Sequence, residues 1–167
     1  LNQGKVTFPL TVDKLFEAPY KQKFEEGDIV RSVNGIPAET DLNEFISFVG
    51  NSFSDEFFTY VVERNGSLVT LNNVVQNPPR ISQVLPKSSA IMAGLKKGDF
   101  ILSLNSKKIS NFNEIKNEVE QSKGGVLRIE YWREGLVYET NLQPLIVDVP
   151  MDKGGFERIY RIGIVSD

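Results

Sequence analysis

The chain has 167 residues, 40% of them hydrophobic and 25% charged, with a formal net charge of −3. These values are ordinary for a globular protein, and they leave no basic stripe, which argues against nucleic acid as a partner. There is no Cys and no His, so disulfides, thiolate chemistry, a Ser-His-Asp triad and an H-E-x-x-H zinc site are all excluded within the chain.

No apolar run approaches the length of a membrane-spanning helix. The first residue is Leu1 rather than Met, and the chain reads as a segment of something larger.

Residues Val6 to Phe16 alternate loosely and read as an edge strand with a turn. Ala18 to Phe24, with Pro19 near its start, reads as one short helical turn. Gly27-Asp28 ends it and opens the alternating strand Ile29 to Val33, which closes on the tight-turn pair Asn34-Gly35. Thr40 or Asp41 caps a helix with Leu42, Phe45, Ile46 and Val49 on one face. Phe57 to Glu63 and Ser67 to Val75 flank Asn65-Gly66 and read as a hairpin.

Gln76-Asn77-Pro78-Pro79 is a stiff linker. Beyond it come a strand from Arg80 to Leu85, a short helix from Ser89 to Ala93 closed by Gly94, and a strand from Phe100 to Leu104. Ser110 or Asn111 caps a helix with Phe112, Ile115 and Val119 at spacings of three and four. Val126 to Arg133 and Leu136 to Leu142 form a second hairpin. A tail from Pro144 to Gly155 and a last strand candidate from Tyr160 to Val165 complete the chain.

The order of these elements repeats. Gly27-Asp28 and Asn34 recur as Gly98-Asp99 and Asn105, 71 residues later. Each copy then carries a short helix and a hairpin broken at Arg64-Asn65-Gly66 or Arg133-Glu134-Gly135. The chain is therefore a tandem array of two small domains, with boundaries read at 1–77 and 78–145, and with 146–167 as a tail or strand completing the second copy.

The run from Val84 to Asn105 contains Pro86-Lys87-Ser88-Ser89-Ala90 and Ala93-Gly94-Leu95-Lys96-Lys97-Gly98-Asp99 before an apolar strand. It resembles the signature of bacterial PDZ domains. The first copy keeps Gly27-Asp28 and Ser32-Val33-Asn34-Gly35, but Lys23-Phe24 stands in place of Gly-Leu. The resemblance implies an α+β, mainly β fold: two partly open β-barrels, each with two short helices, of the circularly permuted bacterial type. Such a domain binds an extended peptide by adding it as a strand at a sheet edge.

The tail, from Pro144 through Gly154-Gly155 to Arg161-Ile162-Gly163-Ile164, resembles the segment after the last PDZ domain in site-2 intramembrane zinc proteases of the bacterial RseP type. That resemblance implies a periplasmic region attached to the transmembrane protease domain of the same polypeptide. There it would gate trimmed substrates such as anti-sigma factors, as a size filter or as a sensor of a new C-terminus. It implies no cofactor in this segment, and zinc in the parent protease outside it. The alternatives are a PDZ pair of an HtrA-type serine protease and a non-proteolytic scaffold. The HtrA type carries a Gly-x-Leu-Gly-type loop before each PDZ domain, and only the Pro-Pro linker precedes Arg80.

Candidate peptide-binding residues follow from the same resemblance. Ile162, Gly163 and Ile164 read as a carboxylate-binding loop, or else as a plain closing strand or stalk, with Arg161 adding charge or simply solvated. Phe112, Ile115 and Val119 read as groove or core, with Asn113 and Lys116 beside them. Leu42, Phe45, Ile46 and Val49 hold the matching places in the first copy. The cluster Phe45, Phe48, Phe53, Phe57 and Phe58 reads as core or as an exposed patch. Glu25-Glu26 and Lys96-Lys97 occupy one repeat position with opposite charge.

Overall fold

A computed structural model describes residues 10–38, 43–44, 47 and 57–166. Leu42, Phe45, Ile46 and Val49, together with the cap candidates Thr40 and Asp41 and the aromatic pair Phe48 and Phe53, lie outside the described residues. Asn43, Glu44 and Ser47, which belong to the same expected helix, are helical. The chain divides into two compact units, Leu1–Gln76 and Asn77–Asp167.

Unit 1 contains the strands β1 (Ile29–Val33), β2 (Ile36–Pro37), β3 (Phe57–Arg64) and β4 (Ser67–Val75), in the antiparallel order β2-β1-β3-β4. Unit 2 contains β5 (Gln83–Val84), α1 (Ser89–Met92), β6 (Phe100–Leu104), β7 (Lys107–Lys108), α2 (Phe112–Gln121), β8 (Leu127–Arg133) and β9 (Leu136–Leu142). The strands β10 (Leu145–Pro150), β11 (Phe156–Arg161) and β12 (Ile164–Val165) follow. Its main sheet runs β7-β6-β8-β9, the same order as in unit 1, while β10-β11 and β12-β5 form two separate ribbons.

The two sheets share their details. A register shift between Val30 and Ser32 in β1 reappears between Ile101 and Ser103 in β6. Such a bulge bends the strand and lets both its faces serve a closed core. Asn34 and Asn105 both sit at φ 49°, a left-handed conformation that Asn tolerates better than most residues. Each exchanges two bonds with the neighbouring strand. Thr59 N–H donates to Asn34 Oδ1 at 2.8 Å and Arg128 N–H donates to Asn105 Oδ1 at 2.8 Å. The Asn34 and Asn105 N–H groups donate back to the Thr59 and Arg128 carbonyls, also at 2.8 Å.

A second shared device is ionic. Asp28 and Asp99 are each 1% exposed. Arg64 donates from Nε to Asp28 Oδ1 at 2.8 Å and from Nη2 to Oδ2 at 2.7 Å. Arg133 meets Asp99 the same way, at 2.7 Å for both bonds. Each Nη2 also donates to a backbone carbonyl, that of Lys23 at 3.0 Å or Gly94 at 2.8 Å. The N–H of Glu25 or Lys96 completes each carboxylate at 2.8 Å. A buried carboxylate is tolerated only with this degree of satisfaction. The Arg64 hydrogen bond holds the Asp28 carboxyl below the usual carboxylate range, and each carboxylate in turn raises its arginine.

The cores sit beneath these sheets. In unit 1, Val30, Val33, Phe58, Tyr60 and Val62 are buried together, with Phe24 edge-on to Tyr60 at 4.9 Å. In unit 2, Ile81, Ile101, Leu104, Leu127 and Ile129 from the strands pack with Phe112, Ile115 and Val119 from α2. The apolar stripe on α2 and its cap explain that helix. Asn111 Oδ1 accepts the Glu114 N–H at 3.1 Å, and Glu114 reaches back to the Ser110 N–H at 3.1 Å, a reciprocal cap of the first turn.

Two expectations are corrected. Ala18 to Phe24 forms bends rather than a helical turn. Its counterpart α1 is capped by Ser88 Oγ, which accepts the Ile91 N–H at 3.2 Å, and Glu17 stands at the position corresponding to Ser88. Pro19 stands where Ala90 is and has no N–H to give, whereas the Ala90 N–H donates to the Ile162 carbonyl at 2.9 Å. The tail is also more ordered than it reads. β10 and β11 form a hairpin from Leu145↔Arg161 to Pro150↔Phe156, and the strand read as Tyr160 to Val165 is broken at Ile162-Gly163.

Candidate functional site

The break at Gly163 organises the best candidate site. Gly163 has φ +86°, and a Cβ placed on it would meet Ser88 Cβ at 2.2 Å. Both facts require glycine there. The chain turns at this point, with its backbone pressed against the N-cap of α1. Ile162, just before the turn, is 6% exposed and belongs to the unit 2 core. Its carbonyl is held by the Ala90 N–H.

After the turn, β12 lies antiparallel to β5, with Ile164 opposite Val84 and Val165 opposite Gln83. The Leu85 N–H donates to the Gly163 carbonyl at 2.8 Å, and Ser82 donates from both N–H and Oγ to the Val165 carbonyl. Antiparallel pairs alternate between hydrogen-bonded and non-hydrogen-bonded. Ile164 and Val84 are therefore a non-hydrogen-bonded pair, whose N–H and C=O groups point away from each other. For Ile164 that direction is the outer edge of β12, which pairs with no other strand among the described residues.

β11, the segment that leads into this edge through Gly163, packs on α2, and a Cβ at Gly124, just past the helix, would lie 3.3 Å from Tyr160 Cε1. The Ile164 side chain rests on the core cluster that includes Phe112 and Ile115. A short strand edge beside a helix can add a guest strand. The Ile164 N–H and C=O, turned away from β5, are the backbone groups such a strand would meet first.

Phe112, Ile115 and Val119 are 2%, 2% and 5% exposed, and their side chains build the core. Asn113 and Lys116 stand exposed on α2, and Arg161 stands exposed at the end of β11. Lys116 and Arg161 are thus exposed cations on α2 and β11, the two elements that pack together ahead of the Gly163 turn. The four candidates in unit 1 lie outside the described residues.

Sequence reasoning missed the parts that hold the edge in place. Ser88 forms the seat for Gly163, Ala90 anchors Ile162, and Ser82 and Leu85 fix β12. The Pro86-to-Ala90 run carried this signal, because a Ser followed two residues later by an Ala before a glycine-closed helix offers both a small contact surface and an N-terminal N–H. The Asp–Arg pairs were legible in principle too, since both partners recur between the copies, Asp28 as Asp99 after 71 residues and Arg64 as Arg133 after 69.

Among the described residues, no group of acidic side chains has the arrangement of a metal site, and no helix is long and apolar enough to cross a membrane.

A sheet with an open two-stranded flap, a short helix seated under a glycine turn and a longer helix beside the flap define a PDZ fold. Residues 80–133 match the family model described as "PDZ domain". Over 83 residues the chain is 37% identical to the "Probable periplasmic serine protease do/HhoA-like" of Haemophilus influenzae, covering 48% of this chain and 18% of that protein. It is 42% identical over 82 residues to a "Putative zinc metalloprotease" of Helicobacter pylori, covering 47% of this chain and 23% of that one. It is 44% identical over 64 residues to the periplasmic serine endoprotease DegP of Escherichia coli, covering 38% and 14%. The match thus spans less than a quarter of each of these relatives. The solved PDZ domain of the SdrC-like protein from Listeria monocytogenes aligns at TM-score 0.44 and 18% identity, over 56% of this chain and 92% of that one.

Unit 2 thus has the PDZ fold and carries the match to the PDZ domain model over residues 80–133, and the relatives it is similar to are named as proteases.

Proposed function

We propose that this chain is the periplasmic PDZ pair of an intramembrane zinc protease. In this reading unit 2 receives the C-terminus of a trimmed substrate at the β12 edge, and both units together keep untrimmed proteins away from the catalytic centre. The observation that carries the reading is the origin of the edge strand. In unit 2 the glycine turn and β12 come from the far C-terminal side of the domain, at Gly163 to Val165. No such loop stands before Arg80, where an HtrA-type arrangement would need it. The resemblance of the tail to site-2 proteases and the similarity to the Helicobacter zinc metalloprotease support the same reading.

The second reading, a PDZ pair of an HtrA-type serine protease, is favoured by the similarity to DegP. Two experiments separate them. In the open reading frame that encodes this chain, an H-E-x-x-H helix upstream and a membrane segment after Asp167 are expected. A Ser-His-Asp protease domain upstream would transfer the chain to the HtrA type. In the parent protease, deleting both units should allow cleavage of substrates that still carry their outer domain. Unchanged discrimination after deletion would remove the gating role.

A further inference from the structure

The strand β5 has a second edge. Val84, as the non-hydrogen-bonded partner of Ile164, turns its N–H and C=O away from β12. Three residues earlier, at Ile81, the opposite bank is still paired. The Ile81 N–H donates to the Asp99 carbonyl at 2.9 Å, and the Gly98 N–H donates to the Ile81 carbonyl at 2.7 Å. Beyond that point the two chains diverge, and a cleft of about 550 Å³ opens between them. Ser82 and Val84 line one bank, while Ile91, Leu95, Lys96 and Lys97 line the other.

The chemistry of this cleft is specific. Its backbone bank offers one donor and one acceptor, at Val84, that face away from β12 and have no backbone partner among the described residues. Its far bank is apolar at Ile91, which is 48% exposed, whereas Leu95 is 2% exposed and belongs to the core. Both charged side chains that line it are lysines, both exposed, and no acidic side chain lines it. The carboxylate nearest in sequence, Asp99, is already consumed by Arg133 and the Lys96 N–H. Unit 1 carries Glu25-Glu26 at the corresponding position, so the cationic rim belongs to unit 2 alone.

We propose that this cleft is a second docking site, distinct from the β12 edge, and that its occupant is an acidic polypeptide segment in extended conformation. Its backbone pairs with Val84, its apolar side chains rest on Ile91, and its carboxylates meet Lys96 and Lys97. The site needs no chain terminus, because neither bank closes on one. It therefore takes an internal segment, whereas the β12 edge takes a C-terminus. The two sites lie on opposite edges of the same β5–β12 ribbon, so both can be filled in one domain.

The test uses the whole 167-residue chain and the capped peptide acetyl-Glu-Val-Glu-Val-Glu-amide, which has no free carboxyl terminus, with acetyl-Lys-Val-Lys-Val-Lys-amide as control. Backbone amide shifts are followed by NMR. The acidic peptide should move the Val84, Ile91, Lys96 and Lys97 signals saturably and leave Gly163 and Ile164 in place, and the basic control should move none of them. The double variant K96E/K97E should weaken binding at least about tenfold, because rim charges set the attraction, and added salt should weaken it in the parent protein. The variant Ile91→Asp should weaken it as well. Unchanged Gly163 and Ile164 signals in each variant report that the fold is intact.

Three results would overturn the proposal. They are no shift at these four amides at millimolar peptide, equal shifts with the basic control, and concentration-dependent self-association that moves the same amides without peptide. The last would make the cleft a contact between copies of this chain. Because both peptides are capped, failure here leaves the C-terminal groove untouched, and failure of a free-carboxylate peptide at the β12 edge leaves this cleft untouched.

Discussion

The two units of this chain share a frame and differ in a flap. Both carry the same four-stranded order, the same bulge, an Asn at φ 49° clamping the neighbouring strand and a bidentate Arg–Asp pair at 1% carboxylate exposure. Only unit 2, among the described residues, adds a capped short helix and a strand pair β5–β12 whose edge is open. The comparison separates what the fold requires from what a ligand requires. The repeated residues maintain the barrel, and the unrepeated ones, Ser88, Ala90, Gly163 and Ile164, build the edge.

The largest effects should come from the shared frame. Arg64→Leu and Arg133→Leu each strand a buried carboxylate and should cost about 3–5 kcal/mol. Hydrogen exchange should localise the loss to the unit that carries the substitution. A loss spread over both units from a single substitution would break the picture of two independent cores.

Gly163→Ala comes next. It combines a Cβ clash with Ser88 at 2.2 Å and a left-handed backbone. Overpacking and the conformational penalty together suggest a cost on the order of 2–4 kcal/mol. The damage should release β12 and leave the β6–β8–β9 sheet protected. Equal loss of protection throughout unit 2 would mean that the flap is part of the core rather than an addition to it.

Acid should act on the frame in a defined direction. The Arg64 hydrogen bond lowers the Asp28 pKa in the folded state, so between the unfolded and folded values the unfolded chain binds more protons. The stability contributed by this pair is fully present above the unfolded value of about 4 and is lost as the pH falls through the folded one. Arg64→Leu should flatten this dependence in unit 1, as read by denaturant unfolding at a series of acidic pH values. A slope that survives the substitution would assign the acid sensitivity to another carboxylate.

Smaller effects sharpen the comparison at the hairpin turns. Asn65 and Glu134 hold the same left-handed turn position, at φ 52° and 48°. Asn accepts that conformation more readily than Glu. Glu134→Asn should therefore raise the stability of unit 2 by about 0.5–1 kcal/mol, and Asn65→Glu should lower unit 1 similarly. Ser89 Oγ is buried without a hydrogen-bond partner, so Ser89→Ala should be neutral or slightly stabilising by thermal unfolding.

Much of the frame was legible in the sequence because its signals are local. The hairpins at Asn65-Gly66 and Glu134-Gly135, the cap at Asn111 and the apolar stripe of α2 all follow from short-range chemistry. The flap was less legible because its parts lie far apart in the chain. That Gly163 needs Ser88, and that Ile162 is buried in the unit 2 core, depends on contacts across some 75 positions. The stretch from Pro144 to Gly155 reads only as a tail. A two-stranded ribbon nevertheless tolerates proline at its ends, where no ladder bond is lost, and β10–β11 formed there. Pro19 misled in the opposite sense. It is a good helix-starting residue, yet the matching position in unit 2 owes its place to an N–H that proline lacks.

The central claim is that a guest chain end joins unit 2 at the outer edge of β12 and finds no equivalent place among the described residues of unit 1. The most direct measurement is an NMR titration of the whole chain with a peptide ending in a free-carboxylate Val, alongside the same peptide amidated. The account predicts saturable shifts at Gly163, Ile164, Asn113 and Lys116 with the free acid, clear weakening on amidation, and no saturable shift in β1 to β4. Equal shifts from both peptides, or shifts confined to unit 1, would contradict it.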